Sequence, residues 1–583
     1  MKVAGKIRAA APDLLAFVSY GAFAAVLFSG LLRDPSRLML TDNRQDQVFF
    51  EWVLTHAARV VTHGESPLFT EELNAPFGIN LMANTSVLGL AIPLSPITAL
   101  FGAGVTFALI SWFALAGTAS AWYYVLSRDV VDSRASAYVG GLFCGFGPAM
   151  ISQDTGHPNI ASQFLIPFIV RTVLRLREPE HKVRRGLTLA GLTVYQCFIN
   201  EEILFLTALA LGVFLLAALP VREIIPAAKA ALPALGIAAL VSGAVLVYPL
   251  WHQFTGPMAY RGLSDWVLTF SSDIASFKEF SRRSIIGEVT PVTDRMGGPT
   301  EENTFFGWPL ILLFGAAAVA LWRQRPARAL VITTLVFALA SVGPIVRFNG
   351  EETDLTGPWK VMTGLPLFDS VVPTRIAVML VPLIGVLLAL LVDRFVAAGS
   401  ESRELGLSGR LVWGAAVVVA LLPLIPTPQP VQDRPGVPQF FTSGQWRQHI
   451  PAGGTVVPVP GGNLYENLDG MEWSVAANIE FRVVGGYFLA PVPGSADRRA
   501  AFGALLMPTT QLFQSVADNG EVPPVTQEQR DQARADIAYW QATTLVLPVR
   551  HNNSEAIHQL VDQLVGPGQL VDDVWLWDVR SLS

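Results

Sequence analysis

Charged residues are scarce in this 583-residue sequence: Asp, Glu, Lys and Arg make up 15% of it, whereas soluble domains carry about 25%. Hydrophobic residues make up 51%, and the mean hydropathy is +0.44. This composition excludes an ordinary soluble protein and predicts an α-helical multi-pass membrane protein. The formal net charge is -6. Because no basic tract interleaved with aromatic residues occurs, no nucleic-acid partner is expected.

Cysteine is almost absent, and several catalytic motifs are missing. The two cysteines, Cys144 and Cys197, lie in apolar segments, which excludes a disulfide framework and a cysteine-based metal cluster. The sequence has no Walker motif, no Gly-rich dinucleotide loop, no H-E-x-x-H and no G-x-S-x-G. These absences argue against an ATP-driven pump, a zinc protease and an α/β-hydrolase. The polar residues of the apolar runs do not form two matching inverted halves, which argues against a secondary transporter.

Apolar runs approaching the length of membrane spans recur through the first 426 residues. They lie at approximately 14–32, 86–103, 105–127, 135–152, 158–176, 186–201, 203–220, 229–251, 306–322, 329–347, 373–394 and 411–426. The run 86–103 is short and contains Pro93 and Pro96, so we expect a re-entrant segment there. The other runs predict about eleven spans.

Short basic loops set the predicted orientation. Lys and Arg cluster at 175–185, 323–328 and 394–410, and the positive-inside rule places these loops and the N-terminus in the cytoplasm. The polar segments 33–85 and 252–305 then lie outside. We therefore expect a protein of the cytoplasmic membrane whose C-terminal part is extracytoplasmic.

Two domains are predicted: a transmembrane domain over 1–426 and an extracytoplasmic accessory domain over 427–583. A Pro-rich linker opens the second. Its composition predicts strands at 454–460, 543–548 and 574–579 and helices at 526–541 and 554–565. Alternation of strands and helices is typical of a small α/β layer.

The first outer loop carries acidic residues and an amphipathic helix. Asp42 and Asp46 precede or begin a helix predicted over 45–63, with Val48, Trp52 and Val53 on its apolar face. This pattern is typical of a helix lying on a membrane surface, where it could hold carboxylates at the lipid–water boundary. The alternative is an ordinary solvated loop.

The segment Asn200-Glu201-Glu202 interrupts two apolar runs. Carboxylates near a bilayer are costly and are therefore functional candidates. Either they bind a substrate or they cap a helical hairpin in outer solvent. Because successive residues of a helix point in different directions, only one of the two carboxylates is expected to face a site.

Three further candidates lie on the predicted outer face. His157 and Asn159 belong to a polar turn that either binds a phosphate or sugar hydroxyl or simply begins a helix at Pro158. Arg375 lies at the beginning of a predicted span. It either binds a lipid-linked phosphate bidentately or extends its charged group to the lipid–water interface. Arg261, in the loop 252–305, is a candidate for contact with a glycan or headgroup.

The segments DQVFFEWVLTHAARVV, NAPFGINLMANTSVLGL, GHPNIASQFLIPFIV and FINEEILFLTALALG, within residues 41–220, resemble membrane proteins of high-GC Gram-positive bacteria described as GT-C-like. The overall plan also resembles GT-C-type glycosyltransferases. The resemblance implies a GT-C-like fold and sugar transfer from a polyprenyl-phosphate-linked donor to a cell-envelope glycan or lipid acceptor outside the cytoplasm.

By that resemblance, Asp46, with Asp42 as the substitute, is the general base or metal-binding carboxylate. Glu201 or Glu202 positions sugar hydroxyls or a divalent cation, Mg²⁺ or Mn²⁺, and Arg375 with Arg261 stabilises the departing phosphate. No cofactor is certain from the sequence. Asp42 and Asp46 are four residues apart, so they form neither an adjacent acidic pair nor an Asp-x-Asp motif, which separates this loop from the usual metal-dependent pattern. The alternative function is a non-enzymatic lipid or glycan translocator, or an assembly scaffold.

Overall fold

The computed structural model describes residues 2–365, 367–401, 407–461 and 468–582, so the basic loop predicted at 394–410 falls partly outside the described residues. The α-helices of the described residues are α1 (Lys2–Leu27), α2 (Ser29–Arg33), α3 (Arg44–His63), α4 (Leu88–Phe101), α5 (Ala103–Asp129), α6 (Arg134–Phe146), α7 (Pro148–Gln153), α8 (Pro158–Ala161), α9 (Ile166–Leu174), α10 (Lys182–Cys197), α11 (Glu201–Ala218), α12 (Val221–Thr255), α13 (Pro291–Arg295), α14 (Gly307–Leu321), α15 (Arg325–Ala340), α16 (Trp359–Met362), α17 (Leu380–Glu401), α18 (Leu407–Leu421), α19 (Gln439–Thr442), α20 (Asp469–Ala476), α21 (Pro508–Asn519), α22 (Gln527–Trp540) and α23 (Ser554–Val565). The strands are β1 (Leu38–Leu40), β2 (Phe69–Thr70), β3 (Ile79–Asn80), β4 (Ile345–Phe348), β5 (Glu351–Thr356), β6 (Val431–Asp433), β7 (Thr455–Pro458), β8 (Arg482–Val483), β9 (Leu489–Pro491), β10 (Ala500–Phe502), β11 (Thr544–Pro548), β12 (Gln569–Val571) and β13 (Val574–Asp578).

Several helices are suited to a bilayer. Among the described residues, five helical stretches are long and apolar enough to cross a membrane: Ala103–Asp129, Arg134–Gln153, Glu201–Ala218, Val221–Thr255 and Pro373–Val396. Shorter apolar helices accompany them, among them α4, α14 and Ala11–Leu27. The chain is therefore a helical membrane protein. The number of spans and their orientation remain predictions.

The segment predicted to be re-entrant forms α4, whose 14 residues include Pro93 and Pro96. At 1.5 Å per residue α4 is about 21 Å long, shorter than a hydrocarbon core of about 30 Å. Its length agrees with a segment that does not cross fully, and the re-entrant path itself remains a prediction.

The chain divides into two compact units, each built from separated stretches. Unit 1 comprises Met1–Asn43, Ala108–Val247 and Asp265–Gln432, and unit 2 comprises Arg44–Phe107, Tyr248–Ser264 and Asp433–Ser583. Unit 2 includes parts of both predicted outer loops, and the predicted domains 1–426 and 427–583 stay predictions.

Small residues allow α6 and α17 to pack closely within unit 1. A Cβ placed on Gly140 of α6 would lie 2.8 Å from the Cβ of Ala389 and 2.9 Å from the carbonyl oxygen of Gly385, both on α17. A Cβ on Gly385 would in turn meet Cys144. Small residues at helix contacts are the usual means of close approach in membranes, where helices gain no hydrophobic energy by leaving lipid.

Unit 2 contains a five-stranded sheet of order β12-β13-β11-β7-β8. Strands β7 and β11 are parallel, with Val456 opposite Thr544, whereas β11 and β13 are antiparallel. Helices α21, α22 and α23 bury apolar side chains against the sheet, and a capping box at Thr526 and Gln529 starts α22. The strands and helices expected at 454–460, 543–548, 574–579, 526–541 and 554–565 are thus present.

The predicted amphipathic helix forms as α3, but its surroundings are not those of a helix with one free polar face. All residues from Asp46 to Ala58 are buried. Helix α3 packs on α4 and on α20, both in unit 2, and the indole of Trp52 donates a hydrogen bond to Ser474 at 3.3 Å. Protein therefore covers the polar face of α3 as well as its apolar face.

We predict that Gly140→Val destabilises the protein by about 1–3 kcal/mol, the usual cost of overpacking a close contact. The measurement is thermal unfolding in detergent, and we expect a lower midpoint temperature for Gly140→Val than for wild type. The matched control is Gly212→Val on α11, where an added Cβ has no atom of the described residues within 4 Å. Equal stability of Gly140→Val and wild type would contradict the close α6–α17 contact.

Candidate functional site

A group of charged and amide side chains lies at the ends of apolar helices in unit 1. Arg375, in the turn that precedes α17, forms an ion pair with Glu301 through Nε at 3.0 Å and Nη2 at 2.8 Å. Its Nη1 is 3.4 Å from Oε2 of Glu202 in the first turn of α11. One guanidinium group therefore connects two carboxylates that are distant in sequence.

Amide groups extend this arrangement towards His157. Glu301 accepts hydrogen bonds from Asn303 Nδ2 at 3.1 Å and from Gln153 Nε2 at 3.4 Å. Gln153 also donates to Asn303 Oδ1 at 2.8 Å, and its own Oε1 is 3.1 Å from His157 Nδ1. We call these six residues, Gln153, His157, Glu202, Glu301, Asn303 and Arg375, the Arg375 cluster.

The two adjacent glutamates have different surroundings. Glu202 faces the Arg375 cluster, and its Oε1 is buried without a hydrogen-bond partner in the part of the chain that the structure describes. Glu201 is approached by the thiol of Cys197, with Sγ 3.8 Å from Oε1. Asn200 is the N-cap of α11, because its Oδ1 accepts a hydrogen bond from the Ile203 amide at 2.8 Å. Asn200 is therefore the residue of this segment that caps the helix, and Glu202 is the glutamate that belongs to the Arg375 cluster.

The other candidates of unit 1 lie in neighbouring contacts. Asp42 forms an ion pair with Arg283. The adjacent Asn43 contacts Gly156 so closely that a Cβ there would overlap its side chain. Asn159 is buried, and its Oδ1 has no hydrogen-bond partner among the described residues. Asp42 thus belongs to the same unit as the turn that carries His157.

Asp46 and Arg261 belong to unit 2. Asp46 is in the first turn of α3 and is 9% exposed. Arg261 is exposed, and its amide donates to the carbonyl of Arg498 at 2.8 Å. The expected convergence of these two residues with Arg375 remains a prediction.

Unit 2 has a partly buried charge network that the sequence reasoning missed. Arg44 of α3 pairs with Glu472 of α20 at 2.7 Å, and Glu51 of α3 pairs with Arg434 at 2.6 Å. Burial raises the pKa of Glu472 to about 7, although the charge of Arg44 opposes the rise. The signal in the sequence was the polar face of the amphipathic helix, which carries Arg44, Gln47 and Glu51.

A second missed residue is Asp154, beside Gln153. It is fully buried, and within the described ranges both carboxyl oxygens lack a hydrogen-bond partner, although Ser111 is close. Burial raises the pKa of this carboxyl well above its ordinary value of 3.8. The neutral, protonated form therefore suits this position.

The divalent cation expected from the sequence stays a prediction. Mg²⁺ and Ca²⁺ prefer several oxygen ligands around one point. Within the described ranges no three His, Cys, Asp or Glu side chains are grouped to hold a metal ion. Asp46 and Glu201 as possible ligands likewise stay predictions.

Comparison with protein families gives one decisive match. The family described as "Domain of unknown function (DUF6311)" matches residues 62–398, more than half of the chain. The chain belongs to the DUF6311 family. The matched range of this DUF6311 protein contains the whole Arg375 cluster, whereas Asp42, Asp46 and Glu472 lie outside it. No curated protein matches the chain.

Solved structures similar to this DUF6311 protein include oligosaccharyltransferases of Archaeoglobus fulgidus. The archaeal oligosaccharyltransferase AglB in complex with an inhibitory peptide and a dolichol-phosphate is 11% identical to this chain, with a TM-score of 0.45. The match covers 94% of this chain and 70% of the AglB chain. A form tethered to an acceptor peptide containing the NVT sequon is 10% identical, with a TM-score of 0.47 and coverage of 92% and 69%. A complex with Zn and sulfate is 13% identical, with a TM-score of 0.46 and coverage of 92% and 68%. TM-scores below 0.5 carry no argument about activity.

We predict that Asp154→Asn makes the protein increasingly more stable than wild type as the pH rises from 5 to 8. The unfolded chain releases the Asp154 proton near pH 3.8, whereas burial makes the folded chain retain this proton to a higher pH. Above that pH the folded state binds more protons, so wild-type stability falls with rising pH by at most about 1.4 kcal/mol per unit. Asparagine has the same shape as aspartic acid but does not titrate, so Asp154→Asn removes this pH-dependent loss of stability.

The measurement is the difference in thermal unfolding midpoint between variant and wild type at each pH. Asp518→Asn, at an exposed position of α21, is the control and should show a constant difference. A difference for Asp154→Asn that does not grow with pH contradicts the protonated state of Asp154.

Proposed function

We propose that this protein transfers a sugar from a polyprenyl-phosphate-linked donor to a cell-envelope glycan or lipid acceptor on the outer face of the cytoplasmic membrane. The observation that carries the proposal is the buried, unpartnered Oε1 of Glu202 beside the guanidinium of Arg375. Ionisable groups at the ends of membrane helices are costly and are kept for function.

The Arg375 cluster has the groups that a glycosyl phosphate needs. A guanidinium binds phosphate oxygens through paired hydrogen bonds. Arg375 is held by Glu301 at 2.8 Å and 3.0 Å, but its contact with Glu202 is longer, at 3.4 Å. A phosphate that approaches Nη1 therefore competes with the weaker of the two carboxylate contacts.

Sugar hydroxyls are recognised by groups that accept or donate hydrogen bonds with fixed geometry. Glu202 Oε1 accepts from a hydroxyl, and the imidazole of His157 donates to or accepts from another. The amides of Gln153 and Asn303 hold Glu301 and His157 in place. The cluster thus supplies position and charge, the main sources of catalysis in transfer from a good leaving group.

The transfer breaks the bond between the anomeric carbon and the phosphate oxygen while an acceptor hydroxyl bonds to that carbon. The departing polyprenyl phosphate gains negative charge, which Arg375 stabilises. The hydroxyl proton passes to a carboxylate acting as general base. Asp46 is the proposed base and Asp42 the substitute, with Arg261 as a further phosphate contact.

We predict that Glu202→Gln lowers transfer by about 100-fold, the range seen when one positioned catalytic group is lost. Glu201→Gln is the matched control, because it makes the same chemical change one residue away. We expect it to lower transfer far less than Glu202→Gln does. The measurement is release of free polyprenyl phosphate by purified protein, with envelope glycans of a complemented deletion strain as the cellular readout. Equal effects of the two variants would contradict the role of Glu202.

The alternative, a non-enzymatic translocator or scaffold, gives a different result in the same assay. The charges of the Arg375 cluster are paired with one another, as in a network that only binds or supports structure. A translocator would bind the lipid-linked sugar without releasing polyprenyl phosphate. Binding without turnover by wild type would therefore replace the proposed enzyme with that alternative.

The identity of the base is tested by a second pair of variants. We expect Asp46→Asn to reduce turnover by about 100-fold while donor binding persists, because a general base acts on the bond-forming step. Asp42→Asn is compared under the same conditions. If only Asp42→Asn loses turnover, Asp42 is the base. If neither variant loses turnover, both residues are excluded as the base.

A further inference from the structure

A cavity of about 410 Å³ lies among α5, α9, α11, α15 and α17 of unit 1. Its walls are mostly apolar, formed by residues such as Val170, Ala210, Leu211, Phe214, Leu383 and Leu390. Its volume is in the range of ligand sites, about 300–1,000 Å³. The cavity is therefore large enough for a ligand and apolar enough for a hydrocarbon chain.

The cavity is elongated along α17. It extends from Met379 to Leu390, eleven residues apart, which corresponds to about 17 Å at the helical rise. Half of a hydrocarbon core of about 30 Å has nearly the same depth. The cavity thus matches the length of a lipid chain within one leaflet.

One end of the cavity carries excess positive charge. Arg171 and Arg175 line it together with Asp129, and both arginines pair with that single carboxylate, Arg171 at 2.8 Å. The Asp129 side chain is 13% exposed, while Arg171 and Arg175 are 31% and 43% exposed. Two accessible guanidinium groups against one covered carboxylate leave a net charge of about +1, which is complementary to a phosphate.

We propose that this cavity binds one chain of an anionic glycerophospholipid, with the lipid phosphate at Arg171 and Arg175. These residues lie at the basic loop 175–185, which the positive-inside rule assigns to the cytoplasmic face, where anionic headgroups meet basic pockets between helices. A zwitterionic lipid carries a compensating positive charge and gains less from the arginines. The site is separate from the proposed reaction and does not depend on it.

The occupant that competes with this assignment is a polyprenyl chain. The opposite end of the cavity is lined by Thr207 and Met379, about one helical turn from Glu202 and Arg375. A donor lipid held at the Arg375 cluster would place its phosphate at that end. The net charge at Arg171 and Arg175 favours a headgroup at the other end.

The test uses the full-length protein, stripped of lipid in detergent and titrated with phosphatidylglycerol or with phosphatidylcholine of the same chains. Bound lipid is counted by native mass spectrometry. We expect preferential retention of phosphatidylglycerol and a loss of about tenfold in its affinity in the double variant Arg171→Gln/Arg175→Gln. Arg177→Gln/Arg184→Gln removes the same charge from exposed positions of the same loop and should retain binding.

A second pair of variants tests the apolar wall of the cavity. It also keeps the proposal testable if the double arginine variant does not fold. Ala210→Phe fills the cavity and should abolish retention of phosphatidylglycerol, whereas Ala208→Phe, exposed on the same helix, should not. The proposal is overturned if the two lipids bind equally or if both charge variants lose the same affinity. It is also overturned if Ala210→Phe retains the lipid or if polyprenyl phosphate displaces phosphatidylglycerol at equal concentration.

Discussion

Charge that is removed from water must be paired, and unit 1 is organised by the pairing of Arg375. Its guanidinium joins Glu301, a residue of the predicted outer loop, to Glu202 at the beginning of an apolar helix. Removing either partner from such a pair leaves an uncompensated charge, which costs far more than the pair contributes. The network therefore fixes where the segment around Glu301 meets the helix ends. The incomplete bonding of Glu202 leaves one acceptor for a ligand.

Unit 2 follows the same rule with different residues. Arg44 and Glu51 of α3 find their partners in Glu472 and Arg434, which come from the last part of the chain. Here the compensation is only partial, because the pKa of Glu472 remains raised to about 7. A carboxyl group that titrates near neutrality responds to small changes in its surroundings. The α3–α20 contact is therefore sensitive to pH in a range where most carboxyl groups are already ionised.

The sequence predicted local structure better than it predicted contacts. Apolar runs, proline positions and strand alternation located most helices and strands, because those patterns depend on neighbouring residues. His157, Glu202 and Arg375 were found because charge beside apolar runs is conspicuous. Glu301 and Asn303 were missed, since nothing in the loop 252–305 distinguishes them until the fold places them beside Arg375. For the same reason α3 was expected to expose the polar face that α20 in fact covers.

The coverage of α3 also bears on how the protein is made. Helix α3 leaves the ribosome early, whereas α20 and the five-stranded sheet are synthesised last. Domains usually fold in the order in which they emerge, but this unit must wait for its final stretch. Until translation ends, Arg44 and Glu51 lack the residues that neutralise them. A chain that ends before residue 433 would thus retain α4, on which α3 packs, but would lack Arg434 and Glu472, the partners of Glu51 and Arg44.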